Sequence, residues 1–235
     1  MKFCYTYWTN NGDNVCCGFD YPSFFFETAE KSLRCASKQP YADDIVIYTD
    51  KLGYDIIKNN IKKVPGVSFY IVDYKEYDFD KRYWNFPKML TYSLQEEEFI
   101  HLDFDVFIKP NFVEQIDYSA SLFSEKLRDF EHVKEFDRFN ANNKKPKKLI
   151  CSGLIGGTNL DAFKDNFSAA QIVCKPTKEK VTFENLVAIE EYSLTKMSIA
   201  RGLSIQEFCP DSFIHFQGKN KHSRFGDIIS NYKIT

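Results

Sequence analysis

The fold prediction rests on the segment FIHLDFDVFI, residues 99–108. Apolar residues flank Asp103 and Asp105 on both sides, as is typical of a buried strand. Two negative charges in such a run are costly unless a cation or hydrogen-bond donors neutralise them. Side chains two residues apart on a strand point to the same face, so we predict a buried strand that presents both carboxylates together.

Outward from this segment, apolar strand-like runs alternate with stretches of helical periodicity. Strands are predicted at residues 2–8, 44–48, 67–72, 149–157 and 212–216. Helices are predicted at residues 23–37, 54–62, 123–139 and 183–201, with a further helix beginning near Asn85. Continuous apolar strands separated by helices predict an α/β fold with a mostly parallel central sheet flanked by helices. The polar segment 140–148 predicts an exposed loop and not a boundary, so a single domain over residues 1–235 is expected.

The charge balance argues against a nucleic-acid partner. The chain has 31 Lys and Arg against 33 Asp and Glu, a formal net charge of -2, whereas nucleic-acid binding rests on an excess of basic residues. Aromatic residues make up 17% of the chain, which is typical either of a ring-binding surface or of an aromatic core. Most of them fall inside the predicted strands and helices, which favours the core.

Cysteine usage and hydropathy predict a cytoplasmic protein. The seven cysteines are an odd, scattered set without a Cys-x-x-Cys spacing, which favours reduced thiols. No secretory signal and no membrane-spanning run is predicted. The lysines at 144, 145, 147 and 148 would allow a peripheral contact with the inner face of a membrane, although a solvated loop is the simpler interpretation.

The pair Asp103 and Asp105 predicts a site for Mn²⁺ or Mg²⁺, since hard divalent ions prefer oxygen ligands. The alternative is a turn at the end of a strand with two exposed aspartates. A second copy of the tripeptide, Asp78 to Asp80, serves as an internal comparison. It lies in the charged run YKEYDFDKR, which predicts a surface loop.

Two further segments carry candidate binding residues. In HFQGKNK, residues 215–221, His215 offers a metal ligand, and a purely structural histidine is the alternative. In the same segment, Gly218 allows the backbone to approach a ligand closely, and Lys221 could contact phosphate oxygens. In CSGLIGG, residues 151–157, glycines at the end of a strand predict a tight backbone beside a ligand, or an ordinary glycine turn. The second segment matches neither a phosphate loop nor a dinucleotide-binding fingerprint.

These segments, in this order, resemble those of the GT-A glycosyltransferases, most closely the family-eight-like and related small bacterial enzymes. The resemblance begins at TYWTNNG, residues 6–12, continues through WNFPK, residues 84–88, and ends at HFQGKNK. It implies a single GT-A, Rossmann-like domain and a nucleotide-sugar donor. No single segment is specific, but the ordered set is considerably more so.

The resemblance also implies roles for individual residues. Asp103, Asp105 and His215 match metal ligands, with Asp103 also contacting the donor ribose. The other donor-site positions that it implies are Tyr7, Thr9, Trp84, Lys88, Phe104, Gly156, Gly157, Gly218 and Lys221. Lys88 matches the basic residue that steadies the donor and the Asp-x-Asp carboxylates, and it is a catalytic candidate for that reason.

Two departures from the family pattern bear on catalysis. Cys151-Ser152 stands where such enzymes often have Asn-Ala or Asn-Ser. Glu190-Glu191 stands where an Asp-Gln or Glu-Gln pair is common. We take Glu190 and Glu191 as the catalytic candidates near the acceptor or the anomeric carbon; the alternative is a pair of glutamates on a helix surface.

The resemblance implies a metal-dependent hexosyltransferase that moves a sugar from a UDP-sugar to a hydroxyl of a glycan or lipid-linked acceptor. Bacterial surface polysaccharide or glycoconjugate synthesis is the expected setting, and the family-eight likeness favours retention of configuration. The rival classes are a metal-dependent nucleotidyltransferase or phosphodiesterase, a non-catalytic carbohydrate-binding protein, and a glycosyltransferase that has lost activity. The oligomeric state is left open.

Overall fold

The computed structural model describes residues 1–12, 19, 21–40, 44–129 and 146–216. The fold class is α/β, as predicted, with a mostly parallel seven-stranded central sheet flanked by helices. The strands are β1 (Lys2–Tyr7), β2 (Asp44–Thr49), β3 (Val67–Ile71), β4 (Phe99–Leu102), β5 (Val106–Ile108), β6 (Leu122–Ser124), β7 (Leu127–Asp129), β8 (Lys148–Ile150), β9 (Leu154–Gly157), β10 (Ile205–Glu207) and β11 (Phe213–His215). The helices are α1 (Pro22–Ser37), α2 (Lys51–Asn60), α3 (Phe86–Ser93), α4 (Leu160–Val173), α5 (Phe183–Val187) and α6 (Ser193–Arg201), with a π-helical turn at Ala188–Tyr192.

The chain divides into two compact units. The first contains Met1–Asp73, Leu102–Ile116 and the chain from Cys209 onward, and the second contains Tyr74–His101 and Asp117–Phe208. The single domain expected over residues 1–235 stays a prediction. Within the described ranges, no helix has both the length and the apolar character that crossing a membrane requires.

The first unit is built on parallel strands that follow one another in the chain. β1 pairs with β2, and β2 pairs with β3, all in parallel. β5 pairs antiparallel with β11, which places His215 opposite Val106. Asp50 caps α2 by accepting a hydrogen bond from the Gly53 amide at 2.6 Å. The pairing of β5 with β11 fixes the backbone that follows Asp105 and the strand that carries His215.

An aromatic cluster forms the core of the first unit. The Phe104 ring lies 5.0 Å from the ring of Tyr5 and 5.6 Å from that of Phe25. Tyr7 stacks on Phe25 at 5.4 Å. The residue between the two aspartates is therefore buried in the core, and it anchors the segment that carries them.

The second unit holds the remaining strands and most of the helices. β6 pairs antiparallel with β9 and in parallel with β10, while β7 and β8 form an antiparallel ribbon. Close strand packing explains the glycines of β9. A Cβ at Gly156 would lie 2.0 Å from the Phe99 carbonyl oxygen, and one at Gly157 would lie 2.5 Å from the Ser121 carbonyl oxygen.

The predicted helix at 183–201 is confirmed as α5, the π-helical turn and α6 in continuous succession. A capping box between Thr182 and Asn185 begins α5. Gly202, with φ of 63°, ends α6 in the left-handed conformation. Helical periodicity predicts the helix, but it does not reveal the π-helical turn inside it.

Two predicted strands are each divided in the structure. The segment 99–108 forms β4 and β5 with a turn at Asp103 to Asp105, in which the Val106 amide donates to the Asp103 carbonyl at 3.0 Å. Aspartate is disfavoured in strands and favoured in turns, which accounts for the break. The segment 149–157 likewise forms β8 and β9, separated at residues 151–153.

The helix predicted at 123–139 is wrong over residues 123–129. That stretch contains the end of β6 and all of β7. Apolar residues in short runs fit a strand or a helix equally well by spacing alone, and pairing with β8 and β9 decides in favour of strands. Residues 130–139, and residues 140–145 of the predicted loop, lie outside the described residues, and Lys148 begins β8.

Candidate functional site

Asp103, Asp105 and His215 come together in the first unit. Each offers one ligand atom, and these atoms all lie within 4.8 Å of one another. His215 Nε2 is 3.5 Å from Asp105 Oδ1. The pairing of β11 with β5 brings the histidine there, and the Phe216 amide donates to the Asp105 carbonyl at 3.0 Å.

The chemistry of this group fits a hard divalent cation. Asp105 is only 7% exposed, so the free energy of burying its carboxylate must be offset by a cation or by donors. Two carboxylates and an imidazole are a suitable ligand set for Mn²⁺ or Mg²⁺. The group predicted from the sequence can therefore hold a metal ion.

Two residues predicted near the nucleotide base are buried in the first unit. Tyr7 lies in the aromatic cluster. The Thr9 amide and its hydroxyl both donate to Asp50 Oδ2, at 3.0 and 2.9 Å. Their contact with a base stays a prediction, and Gly218 and Lys221 lie outside the described residues.

A second polar group, in the second unit, contains Lys88 and Glu190. Lys88 Nζ donates to the Ser152 carbonyl at 2.8 Å and lies 3.3 Å from Glu190 Oε1. The Tyr92 hydroxyl donates to the same carboxylate oxygen at 2.9 Å. All of these side chains are buried. Glu190 is thus held by a cation and by a hydroxyl donor.

Glu191, the next residue, has partners of its own. Its Oε1 accepts from the Ser152 amide and hydroxyl, each at 3.1 Å, and its Oε2 accepts from Arg128. Burial raises the pKa of Glu191, while the Arg128 guanidinium opposes that rise. Glu190 and Glu191 are 5% and 8% exposed, so the alternative of two helix-surface glutamates is wrong.

Sequence reasoning missed the acidic neighbour of this second group. The Cys151 thiol donates to Glu125 Oε2 at 3.4 Å, and Glu125 is buried. Burial, with Glu125 and Glu191 nearby, raises the pKa of Cys151 to about 12. Glu125 follows β6 directly and belongs to no motif, so no sequence signal could have found it.

Trp84 is also placed in the second unit. It is 51% exposed, between buried Tyr83 and Asn85. The ring is therefore presented to solvent from an anchored loop. Its predicted place beside the donor stays a prediction.

Comparison with known families identifies the family of this chain. The profile of DUF6734, a family of unknown function, matches residues 1–233. The chain belongs to DUF6734. No curated protein matches its sequence.

Solved structures show the fold of this DUF6734 protein. The galactosyltransferase LgtC, in complex with donor and acceptor sugar analogs, superposes with a TM-score of 0.51 at 9% identity, over 99% of this chain and 96% of LgtC. The 4-diphosphocytidyl-2C-methyl-D-erythritol synthase from Anaerococcus prevotii gives 0.54 at 10%, over 97% of both chains. The inositol-1-phosphate CTP transferase from T. maritima gives 0.50 at 11%, over 99% and 96%. The predicted likeness to GT-A glycosyltransferases is confirmed for the fold.

Proposed function

We propose that the protein is a metal-dependent glycosyltransferase that moves a hexose from a UDP-sugar to a hydroxyl of a glycan or lipid-linked acceptor. The observation that carries the proposal is the group of Asp103, Asp105 and His215. It lies in a chain whose fold is shared with a galactosyltransferase. This proposal includes retention of configuration and a place in bacterial glycoconjugate synthesis.

The first unit holds the metal in this proposal. A divalent cation, when bound, supplies the positive charge that stabilises a leaving diphosphate. Asp105 and His215 serve as ligands, and Asp103 holds both the metal and the donor ribose. Phe104 fixes the turn that presents the two carboxylates. Gly218 and Lys221 hold the diphosphate, and Tyr7, Thr9 and Trp84 contribute to nucleotide binding.

The second unit supplies the groups for the sugar and the acceptor. Lys88 and Tyr92 fix the Glu190 carboxylate, and Arg128 and Ser152 fix that of Glu191. Carboxylates held in this way have fixed directions in which to accept hydrogen bonds from sugar hydroxyls. We assign these two glutamates to orienting the transferred sugar and the acceptor hydroxyl.

Nucleotidyl transfer is the second candidate, because the 4-diphosphocytidyl-2C-methyl-D-erythritol synthase and the inositol-1-phosphate CTP transferase share the fold. The products separate the two reactions. A glycosyltransferase releases a nucleoside diphosphate, whereas a nucleotidyltransferase releases pyrophosphate.

The cytoplasm is the proposed location of the reaction. The lysines at 144, 145, 147 and 148 are the proposed contact with a membrane that carries the lipid-linked acceptor. The two compact units are proposed to act as parts of one GT-A domain.

Mass spectrometry of products tests the proposed reaction. The protein is incubated with Mn²⁺, a panel of UDP-sugars and either free-sugar or lipid-linked acceptors. UDP and a product heavier than the acceptor by one hexose are expected, and Asp105→Asn should abolish both. Asp78→Asn, an exposed aspartate of the second Asp-x-Asp copy, is the matched control and should retain activity. Pyrophosphate release from a nucleoside triphosphate, with no UDP release, would replace the proposal with nucleotidyl transfer.

A further inference from the structure

The π-helical turn at Ala188–Tyr192 carries both catalytic glutamates of the proposed function. A π-helical turn widens the helix by one residue and displaces its ordinary i to i−4 hydrogen bonds, and such turns are frequent at functional sites. Backbone carbonyls around it then need other donors, since an unpaired buried carbonyl is costly. The partners of those carbonyls show how the turn is held.

Two buried asparagines from other elements supply such donors. Asn85 Nδ2 donates to the Leu186 carbonyl at 2.9 Å, and Asn166 Nδ2 donates to the Glu190 carbonyl at 3.4 Å. Both asparagines are 1% exposed. Each asparagine lies outside the helical segment to which it donates. Its hydrogen bond therefore fixes the position of that segment relative to the element that carries the asparagine.

Asn85 also contacts the carboxylate. Its Nδ2 lies 3.4 Å from Glu190 Oε2. Lys88 and Tyr92 contact the other oxygen of the same carboxylate, Oε1. Asn85 precedes α3, and its own carbonyl accepts from the amides of Lys88 and Met89. The amide and the lysine that hold Glu190 are therefore fixed by the same first turn of α3.

The orientation of the Asn166 side-chain amide, in α4, is fixed by a second hydrogen bond. Its Oδ1 accepts from the Ser193 hydroxyl at 2.7 Å, which turns Nδ2 toward the Glu190 carbonyl. Ser193 is the first residue of α6, immediately after the turn. Asn166 thus joins the turn to the helix that follows it, and its hydrogen bond to Glu190 goes to the backbone carbonyl.

We infer that Asn85 and Asn166 are positioning residues: they hold the widened turn so that the Glu190 carboxylate meets Lys88 and Tyr92. The inference rests on the proposed function, in which Glu190 orients the reacting sugar. Without these amides the turn relaxes toward ordinary helical spacing. The carboxylate then moves away from its two partners.

A double-mutant cycle tests the positioning without any assay of activity. Asn166→Ala, Glu190→Gln and the double variant are compared by urea unfolding. The hydrogen bond from Asn166 goes to the backbone carbonyl of Glu190 and not to its carboxylate. We therefore expect coupling between the two side chains if the asparagine positions that carboxylate. The double variant should lose less stability than the two single losses added together.

Asn185→Ala is the matched control for the cycle. Asn185 belongs to the same continuous helix, and its side chain completes the capping box with Thr182. Its loss destabilises the helix, but its effect should add to that of Glu190→Gln. Additive losses for Asn166 and Glu190 would overturn the inference.

Kinetics provides the second readout. Asn85→Ala and Asn166→Ala should lower kcat by about tenfold or more, because a displaced Glu190 carboxylate no longer orients the reacting sugar. KM for the UDP-sugar should stay within about twofold of the wild-type value. Asn166→Asp keeps the acceptor for Ser193 but loses the donor, and it should be as impaired as Asn166→Ala. Asn185→Ala should keep the wild-type kcat.

The two readouts separate the inference from the proposed function. Coupling in the cycle together with the loss of kcat supports both. Coupling in a protein that turns over no UDP-sugar supports the positioning of Glu190 and overturns the proposed function. An unchanged kcat in both asparagine variants of an active enzyme would overturn the positioning role.

Discussion

The two Asp-Phe-Asp tripeptides differ in what surrounds the phenylalanine and the aspartates. Asp105 is buried beside His215, whereas Asp78 is exposed. Asp80 is paired with Arg82. The apolar neighbours of the first copy and the charged neighbours of the second are visible in the sequence, so the difference could be predicted. The packing of Phe104 on Tyr5 could not be predicted, because the two residues are far apart in the chain.

Phe104→Ala tests the anchoring of the metal-binding turn. Removing a buried phenylalanine ring should lower the free energy of unfolding by about 3–5 kcal/mol. It should also weaken Mn²⁺ binding, because the turn loses its anchor in the aromatic cluster. Urea unfolding and calorimetric Mn²⁺ titration measure the two effects. Phe104→Leu should show smaller losses of both, and a fully stable Phe104→Ala would contradict the anchoring role.

The Cys151 thiol should be unreactive in the folded protein. Its pKa is raised to about 12, and the thiolate is the reactive form. Native protein treated with iodoacetamide at pH 8 should be modified at exposed Cys209 well before Cys151, as read by peptide mass spectrometry. Modification of both cysteines at the same rate would show that Cys151 is accessible and ionised.

Among the elements, helix and strand positions follow from periodicity, whereas their interruptions do not. The spacing of apolar residues predicts the helix at 183–201, but an inserted π-helical turn leaves too little trace in that spacing. The burial of Glu190 and Glu191 follows from the packing of that helix on its neighbours. For the same reason, nothing local marks Asn85 and Asn166 as partners of the turn.

The loop between α4 and α5 is held by an ion pair that should titrate at low pH. Arg82 donates to Asp80 and to the carbonyls of Thr177 and Glu179. The hydrogen bond from Arg82 lowers the pKa of Asp80 from 3.8 to about 2. A carboxyl group whose pKa is lower in the folded than in the unfolded protein stabilises the fold at pH values above its pKa in the unfolded chain. That stabilisation is lost as the pH falls through its pKa in the folded protein.

Urea unfolding of wild type and Asp80→Asn between pH 5 and pH 2 therefore measures this pair. Wild type should be more stable at pH 5, and the difference should shrink between about pH 4 and pH 2. Arg82→Gln should remove most of the pH-dependent difference. A difference between wild type and Asp80→Asn that stays constant over this range would contradict the assigned pKa.

Across the whole molecule, composition and pattern predicted the α/β class and the aromatic core. In the described part of the chain, the largest fully buried side chains are all tyrosine or phenylalanine. The order of the motifs along the chain predicted that Asp103, Asp105 and His215 would come together, and the structure brings these three residues together. It could not predict the buried partners of Glu190 and Glu191, because those contacts join residues up to about a hundred positions apart.

Calorimetric titration of UDP in the presence of Mn²⁺ tests the central claim most directly. Wild type should bind UDP with Mn²⁺ and lose that binding in EDTA. Asp105→Asn and His215→Ala should weaken it by more than about tenfold, while Asp78→Asn binds as wild type. The assigned metal site would be contradicted if Asp105→Asn and His215→Ala bound UDP as tightly as wild type. It would also be contradicted if EDTA left the binding of UDP to wild type unchanged.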